Sequence, residues 1–100
     1  MKISDFQNLM RDLYFHQDSE RGIKSTFAWL VEEIGELAKV IKHEKIDKAK
    51  ASEEIADIIA WTSSLANLLD IEIEKALQEK YPNKCSKCDS FPCRCGKQLI

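Results

Sequence analysis

Apolar residues recur every three or four positions through most of the first 80 residues, and this spacing constrains the fold more than any other feature of the sequence. Such spacing places apolar side chains on one face of a helix. No segment alternates apolar and polar residues as a half-buried strand does. The chain of 100 residues suffices for one domain with a thin core, which oligomerisation or a bound metal is expected to supplement. We therefore predict an all-α fold.

Local signals at the helix ends divide this pattern into four predicted helices. Ser4 with Gln7 three residues later forms a capping-box pattern. Asp47 and Asp70 are residues of the type preferred at an N-cap. The four helices are predicted to begin near Ser4, near Ser25 or Thr26, after Asp47 and after Asp70, and to end before Gly22, near His43, near Leu69 and before Tyr81-Pro82.

Two pairs of carboxylates lie on the second and third predicted helices. Glu33 and Glu36 are three residues apart, as are Glu54 and Asp57. Residues at that spacing share a helix face, and a short connection favours antiparallel neighbours, so the two pairs can face each other. Converging carboxylates repel one another unless cations separate them, and oxygen ligands select Mg²⁺ or Mn²⁺. The pattern is consistent with a metal site, although ordinary surface acids on helices also show this spacing.

The residues around these pairs resemble the MazG-like nucleotide pyrophosphohydrolases. The segment LVEEIGELA at residues 30–38 is similar to the first motif of that family, E-x-x-E, and EEIADIIAW at residues 53–61 is similar to the second, E-x-x-D. Residues 65–76 resemble the stretch that usually follows, so the resemblance covers about residues 25–84. It implies a homodimer or homotetramer in which antiparallel helices of two chains complete a four-helix-type bundle around each site.

The resemblance also implies a reaction and its ligands. Family members hydrolyse nucleoside triphosphates between the α and β phosphates, which yields a monophosphate and pyrophosphate. Glu33, Glu36, Glu54 and Asp57 match the Mg²⁺ ligands of the family, and either Glu33 or Glu36 could orient the attacking water. Two alternatives remain: a non-catalytic helical interaction module, or a pyrophosphohydrolase that acts on a phosphoribosyl-nucleotide intermediate of histidine synthesis.

Five further residues are candidates for substrate contact. Trp29 and Trp61 share the acidic helix faces and could stack on a base, or could pack at a dimer interface beside the site. Lys80 and Asn83 stand roughly where many family members carry a Lys and an Asn that reach the substrate phosphates. His16 could enter a nucleotide pocket or lie in solvent at the end of its helix.

Composition and charge narrow the setting in which the chain works. The formal net charge of -2 gives no basic surface for a nucleic-acid polymer. No apolar run approaches the length that a membrane span needs, and the first residues lack the apolar stretch of a signal peptide. We therefore expect a cytoplasmic protein whose thiols stay reduced.

The last sixteen residues carry all four cysteines of the chain, in the pattern C-x-x-C followed by C-x-C. Closely spaced thiols in a reducing compartment indicate a structural zinc site with four thiolate ligands, Cys85, Cys88, Cys93 and Cys95. An iron–sulfur cluster, a disordered tail and a labile redox pair are the alternatives. We predict a helical domain over residues 1–84 and a cysteine-rich tail over residues 85–100, folded as a zinc knuckle.

Overall fold

A computed structural model describes residues 1–96 and contains four helices in this range, with no strand. The all-α prediction is therefore confirmed for the described part of the chain. None of these helices is both long enough and apolar enough to cross a membrane. The helices are α1 (Ile3–Arg21), α2 (Ile23–Ile41), α3 (Lys48–Leu68) and α4 (Ile73–Lys80).

The corner between α1 and α2 consists of a single residue, Gly22. Its φ of 90° and ψ of 167° lie in a region that essentially only glycine adopts. The Gly22 amide closes α1 by donating to the Asp18 carbonyl at 2.9 Å, and the Thr26 hydroxyl donates to the Gly22 carbonyl at 2.7 Å. Helix α2 therefore begins at Ile23, slightly before the predicted start near Ser25 or Thr26.

The capping box predicted for Ser4 and Gln7 is wrong. Helix α1 begins at Ile3, and the Lys2 amide donates to Asp5 Oδ2 at 2.8 Å. Gln7 does not reach back toward the helix start, because its buried side chain forms hydrogen bonds with the C-terminal end of α3 and with the start of α4. The Gln7 side chain therefore makes a long-range contact in place of the local cap that the pattern predicts.

The N-cap predicted at Asp70 is also wrong. Asp70 occupies the left-handed region at a φ of 57°, in the turn after α3, and α4 begins at Ile73 with Glu72 as its N-cap. Gln7 fixes this turn from α1: its Nε2 donates to Asn67 Oδ1 at 2.9 Å and its Oε1 accepts from the Ile73 amide at 2.9 Å. Because of the geometry of this turn, α4 begins two residues later in the sequence than predicted.

The start of α3 agrees with the prediction. Asp47 Oδ1 accepts hydrogen bonds from the amides of Ala49 at 3.1 Å and Lys50 at 3.2 Å. This cap satisfies two of the amides that a helix start leaves without partners. At the other end of the connection, α2 stops at Ile41, two residues before the predicted end.

Helices α2 and α3 pack antiparallel through their acidic and tryptophan-bearing faces. Trp29 stacks on Trp61 at one level, and Glu33 meets Asp57 at the next. Residue numbers therefore rise along one helix as they fall along the other. This packing places the two predicted carboxylate faces inside the contact between the helices.

Much of the main apolar stripes of α2 and α3 lies on the other side of these helices and remains exposed. Phe27 is 54% exposed and Ile59 is 53% exposed, whereas the buried hydrophobic residues of the described chain are Met10, Leu30 and Ala66. The accessible surface of 7834 Å² exceeds the roughly 5,800 Å² expected for a compact monomer of this mass. We call the exposed set the open apolar face: Phe27, Val31, Ile34, Ile41, Ile55 and Ile59.

Candidate metal centre and its adjoining cavities

Three of the four predicted ligands converge between α2 and α3. Glu33, Glu54 and Asp57 each place a carboxylate oxygen within 4.8 Å of the others. Glu33 and Glu54 are half-buried, and Glu54 Oε2 is buried without a hydrogen-bond partner among the described residues. A buried acceptor without a partner is destabilising, and a cation relieves it. This three-carboxylate cluster therefore fits a hard divalent ion such as Mg²⁺ or Mn²⁺.

The cluster perturbs the acidity of Glu33. Burial raises the pKa of the Glu33 carboxyl above its usual value, and the nearby negative charges of Asp57 and Glu54 raise it further. Glu33 therefore holds its proton more tightly than an ordinary glutamate does when no cation is bound. A bound cation favours the charged form, so that metal binding and proton release from Glu33 are coupled.

The fourth predicted ligand, Glu36, lies outside the three-carboxylate cluster. Its Oε1 accepts from Lys39 Nζ at 3.3 Å, in an ion pair whose side chains are 52% and 68% exposed. Exposed pairs of this kind contribute about 0–1 kcal/mol, so little free energy holds Glu36 in this orientation. Glu36 and Glu54 line the same cavity, one helical turn from Glu33.

A cavity of about 520 Å³ adjoins the cluster on the side of the α2–α3 connection, and we call it the lysine-rich cavity. Its cationic side chains can attract phosphate oxygens next to the carboxylates. The sequence did not predict this cavity, because basic residues at the end of a helix ordinarily interact with the helix dipole. The feature of the sequence that indicates the cavity is the number of lysines between residues 39 and 50. The lining residues are Glu36, Lys39, Val40, His43, Lys45, Asp47, Lys50, Glu53 and Glu54.

A second cavity, of about 370 Å³, adjoins the cluster between α1 and α3, and we call it the aromatic cavity. Asp57 belongs both to this cavity and to the three-carboxylate cluster. The Arg21 guanidinium lies 4.8 Å from the Trp61 ring centroid and donates to Asp18 Oδ1 at 2.8 Å. The remaining lining residues are Met10, Tyr14, Gln17, Ala60 and Ser64.

Sequence reasoning missed Asp18 and Arg21. Asp18 is only 2% exposed, and its Oδ2 makes no hydrogen bond within the described residues. An acidic and a basic residue three positions apart, just before the glycine break, were the available signal, but such pairs are frequent on helix surfaces. Their burial depends on how α1 docks onto α3, which the spacing does not reveal.

The two tryptophans stack on each other. Their ring centroids are 6.0 Å apart with an interplanar angle of 12°. Trp61 lines the aromatic cavity and also contacts Arg21, whereas Trp29 remains 47% exposed. The pair therefore forms part of the wall between the α2–α3 contact and the aromatic cavity.

Three other predicted contact residues lie away from the cluster. His16 is exposed on α1, and Lys80 ends α4 with its Nζ 5.6 Å from the Tyr81 ring centroid. Asn83 follows in a turn at a φ of 64°. None of the three lines the lysine-rich or the aromatic cavity within the described chain. Their contact with a substrate stays a prediction.

The four cysteines converge in a separate four-cysteine cluster after α4. The Sγ atoms of Cys85, Cys88, Cys93 and Cys95 all lie within 4.8 Å of one another. A hydrogen bond from the Arg94 amide lowers the pKa of the Cys88 thiol to about 6. Hydrogen bonding to the neighbouring thiols, Cys93 first, raises the pKa of Cys95 to about 12. Hydrogen bonds within the cluster thus shift the pKa values of Cys88 and Cys95 in opposite directions.

A family model described as the MazG nucleotide pyrophosphohydrolase domain matches residues 21–88. The match covers more than two-thirds of the chain and includes both carboxylate pairs, the connection between α2 and α3, and the first two cysteines. A comparison with curated proteins finds no match.

Proposed function

Because the chain belongs to the MazG nucleotide pyrophosphohydrolase domain family, we propose that it hydrolyses nucleoside triphosphates to a monophosphate and pyrophosphate. Water would attack at the α phosphate, and the bond between the α and β phosphates would break. One observation carries the proposal: the three-carboxylate cluster lies between an aromatic cavity and a lysine-rich cavity. A nucleotide needs both surroundings, one for its nucleoside and one for its phosphates.

The carboxylates are proposed to hold Mg²⁺ or Mn²⁺, with Glu33, Glu54 and Asp57 as ligands. The buried oxygen of Glu54 that lacks a partner supports this assignment. Bound at this position, the metal would neutralise charge on the phosphate oxygens and acidify the attacking water. Glu36 completes the expected set once its side chain turns away from Lys39, and the exposure of that ion pair makes the turn easy.

The two cavities suggest how the substrate would lie. The nucleoside would occupy the aromatic cavity, where Trp61 offers an apolar ring and the free oxygen of Asp18 can accept a hydrogen bond from a base or sugar donor. The β and γ phosphates would lie toward Lys45 and Lys50, which can neutralise the leaving pyrophosphate. This orientation places the α phosphate over the three-carboxylate cluster.

Glu33 is proposed to take part in the handling of the proton released from the attacking water. Its raised pKa brings its proton affinity closer to neutral pH than that of an ordinary glutamate. Glu36 is the alternative acceptor, because it lies one helical turn from Glu33 and is open to solvent. A pH–rate profile of Glu33→Gln and Glu36→Gln, measured on whatever activity remains, separates the two roles.

The open apolar face is proposed to bind a second copy of the chain. Its residues belong to the two helices that carry the carboxylates, and the six apolar side chains of this face are each 48–54% exposed, which is typical of a surface that binds a partner. A homodimer or homotetramer would thereby complete a four-helix-type bundle. His16, Lys80 and Asn83 would contact substrate only where the second copy brings them to the site.

The reaction is tested by incubating the full chain with each nucleoside triphosphate and deoxynucleoside triphosphate and Mg²⁺, followed by chromatography of the products. The proposal expects a monophosphate and pyrophosphate in equal amounts. A diphosphate with inorganic phosphate would contradict the cleavage position. Turnover of a phosphoribosyl-nucleotide alone would identify a different substrate, and the absence of both turnover and Mg²⁺ binding would identify an interaction module.

A further inference from the structure

We propose that Cys85, Cys88, Cys93 and Cys95 bind one Zn²⁺ ion, and that this ion holds residues 85–95 in their folded form. The four Sγ atoms lie within 4.8 Å of one another, and those of Cys85 and Cys95 are 3.7 Å apart. A tetrahedron with Zn–S bonds of about 2.3 Å has edges of about 3.8 Å. The cluster therefore has the size of a zinc tetrathiolate.

Backbone amides already point at three of the sulfurs. The Lys87 amide donates to Cys85 Sγ at 3.4 Å, and the Cys95 amide donates to Cys93 Sγ at 3.3 Å. A third amide, that of Arg94, donates to Cys88 Sγ at 3.3 Å. Amide donors stabilise the negative charge of a metal-bound thiolate and fix the orientation of the ligand. The loop thus supplies the outer hydrogen bonds that a thiolate site requires.

The first two cysteines are brought together by a closed turn. The Cys85 amide donates to the Ser90 carbonyl at 2.9 Å, and the Asp89 amide donates to the Cys85 carbonyl at 3.0 Å. Asp89 adopts a positive φ of 58°, which lets the chain reverse between Cys88 and Ser90. Cys85 and Cys88 consequently face the same point as the second cysteine pair.

Hydrophobic burial does not account for the order of this segment. Over residues 81–96 no side chain is buried, Phe91 is 77% exposed, and the described chain forms neither helix nor strand there. An ordered segment without a core needs another source of free energy to offset its lost conformational entropy. A metal held by four side chains provides that source, as in small domains that fold when they bind zinc.

The ligand set also identifies the kind of site. Four thiolates fill all four positions of tetrahedral zinc and leave none for water or substrate, so the site is structural. Soft sulfur ligands select Zn²⁺, whereas the oxygen ligands of the three-carboxylate cluster select Mg²⁺. The two sites should therefore load independently, and the zinc assignment does not depend on the proposed hydrolysis.

Metal content tests the proposal on the purified full chain. We expect one Zn²⁺ per chain by elemental analysis, released when a mercurial reagent blocks the thiols. Replacement by Co²⁺ should give the thiolate-to-metal charge-transfer and ligand-field bands of a tetrahedral sulfur site. Cys88→Ser and Cys95→Ser should lose nearly all of the zinc, and Ser86→Ala in the same loop should retain it. Iron with labile sulfide, or two disulfides by mass spectrometry, would overturn the proposal.

Limited trypsin digestion tests whether the ion folds the segment. Lys84, Lys87 and Arg94 are cleavage sites in or beside the loop. With zinc bound, cleavage after Lys87 and Arg94 should be slow, and a chelator should accelerate it while the helical circular dichroism stays unchanged. Chelation of the wild-type chain provides this comparison even if the Cys88→Ser variant is poorly soluble. Cleavage that is equally fast with and without zinc would contradict the folding role.

Discussion

Replacing Asp57 by Asn should stabilise the metal-free chain, because it removes one charge from three carboxylates that repel one another. Asp57 lies within 4.8 Å of carboxylate oxygens of both Glu33 and Glu54. At that distance a pair of like charges repels by about 1 kcal/mol in water and about 3 kcal/mol at the effective dielectric near a protein surface. Asp57 is exposed, so the lower value applies, and two pairs give about 2 kcal/mol.

Thermal unfolding in a chelator, followed by circular dichroism at one chain concentration, measures this change. A gain of about 2 kcal/mol raises the Tm of a domain of this size by roughly 8–16 °C. Added Mg²⁺ should stabilise the wild-type chain by about 3 kcal/mol at a hundredfold excess over its dissociation constant, and should stabilise Asp57→Asn much less. Glu32→Gln is the matched control, because Glu32 neighbours Glu33 but lies outside the cluster.

The sign of the Asp57→Asn effect discriminates between a binding site and a structural ion pair. If Asp57 were held by a structural cation of the chain, its neutralisation would destabilise the fold. If it were an ordinary surface acid, its variant would match Glu32→Gln within about 0.5 kcal/mol. Either result, or full Mg²⁺ stabilisation of Asp57→Asn, would refute the three-carboxylate cluster as a cation site.

Three further predictions follow from the site and the open apolar face. The raised pKa of Glu33 favours its protonated form in the folded chain, so the metal-free protein should lose stability as pH rises from about 4.5 through that pKa; urea titrations at several pH values should show this loss, and saturating Mg²⁺ should remove it. Trp61→Ala should raise KM for the nucleotide by about tenfold or more, since aromatic contact with a base is worth about 1–3 kcal/mol, and Trp61→Phe should recover part of the loss; an unchanged KM in both would exclude the aromatic cavity as the nucleoside site. Ile34→Lys should shift the chain toward monomer in analytical ultracentrifugation, whereas Lys24→Ala should leave the assembly unchanged; a wild-type monomer would contradict the proposed interface.

Helical periodicity and capping chemistry were sufficient to predict the four helices, because both depend on neighbours in sequence. The prediction was accurate at Asp47, whose cap is purely local. It was wrong at Ser4 with Gln7, because Gln7 bonds to the start of α4 and not to its own helix start. It was also wrong at Asp70, which lies in a turn at a positive φ and does not cap α4. Local patterns could not anticipate these long-range contacts.

For the candidate site as well, the sequence predicted what depends on local spacing and missed what depends on the whole fold. The spacing of Glu33, Glu54 and Asp57 was enough to place them on facing helices, and the structure brings them together. It could not show that Glu36 turns toward Lys39 or that Arg21 lies beside Trp61, because rotamers and the docking of α1 depend on the whole fold. Nor could the spacing show that much of the apolar stripes of α2 and α3 would face outward.

The proposed hydrolysis is tested most directly by pyrophosphate release from a nucleoside triphosphate during a Mg²⁺ titration of wild-type, Glu54→Gln and Glu32→Gln chains. Glu54 contributes the buried oxygen without a partner, and its loss should lower kcat/KM by at least about 100-fold while the helices remain folded. Glu32→Gln should retain wild-type turnover. Pyrophosphate release that needs no Mg²⁺, or that persists unchanged in Glu54→Gln, would contradict the proposed metal centre.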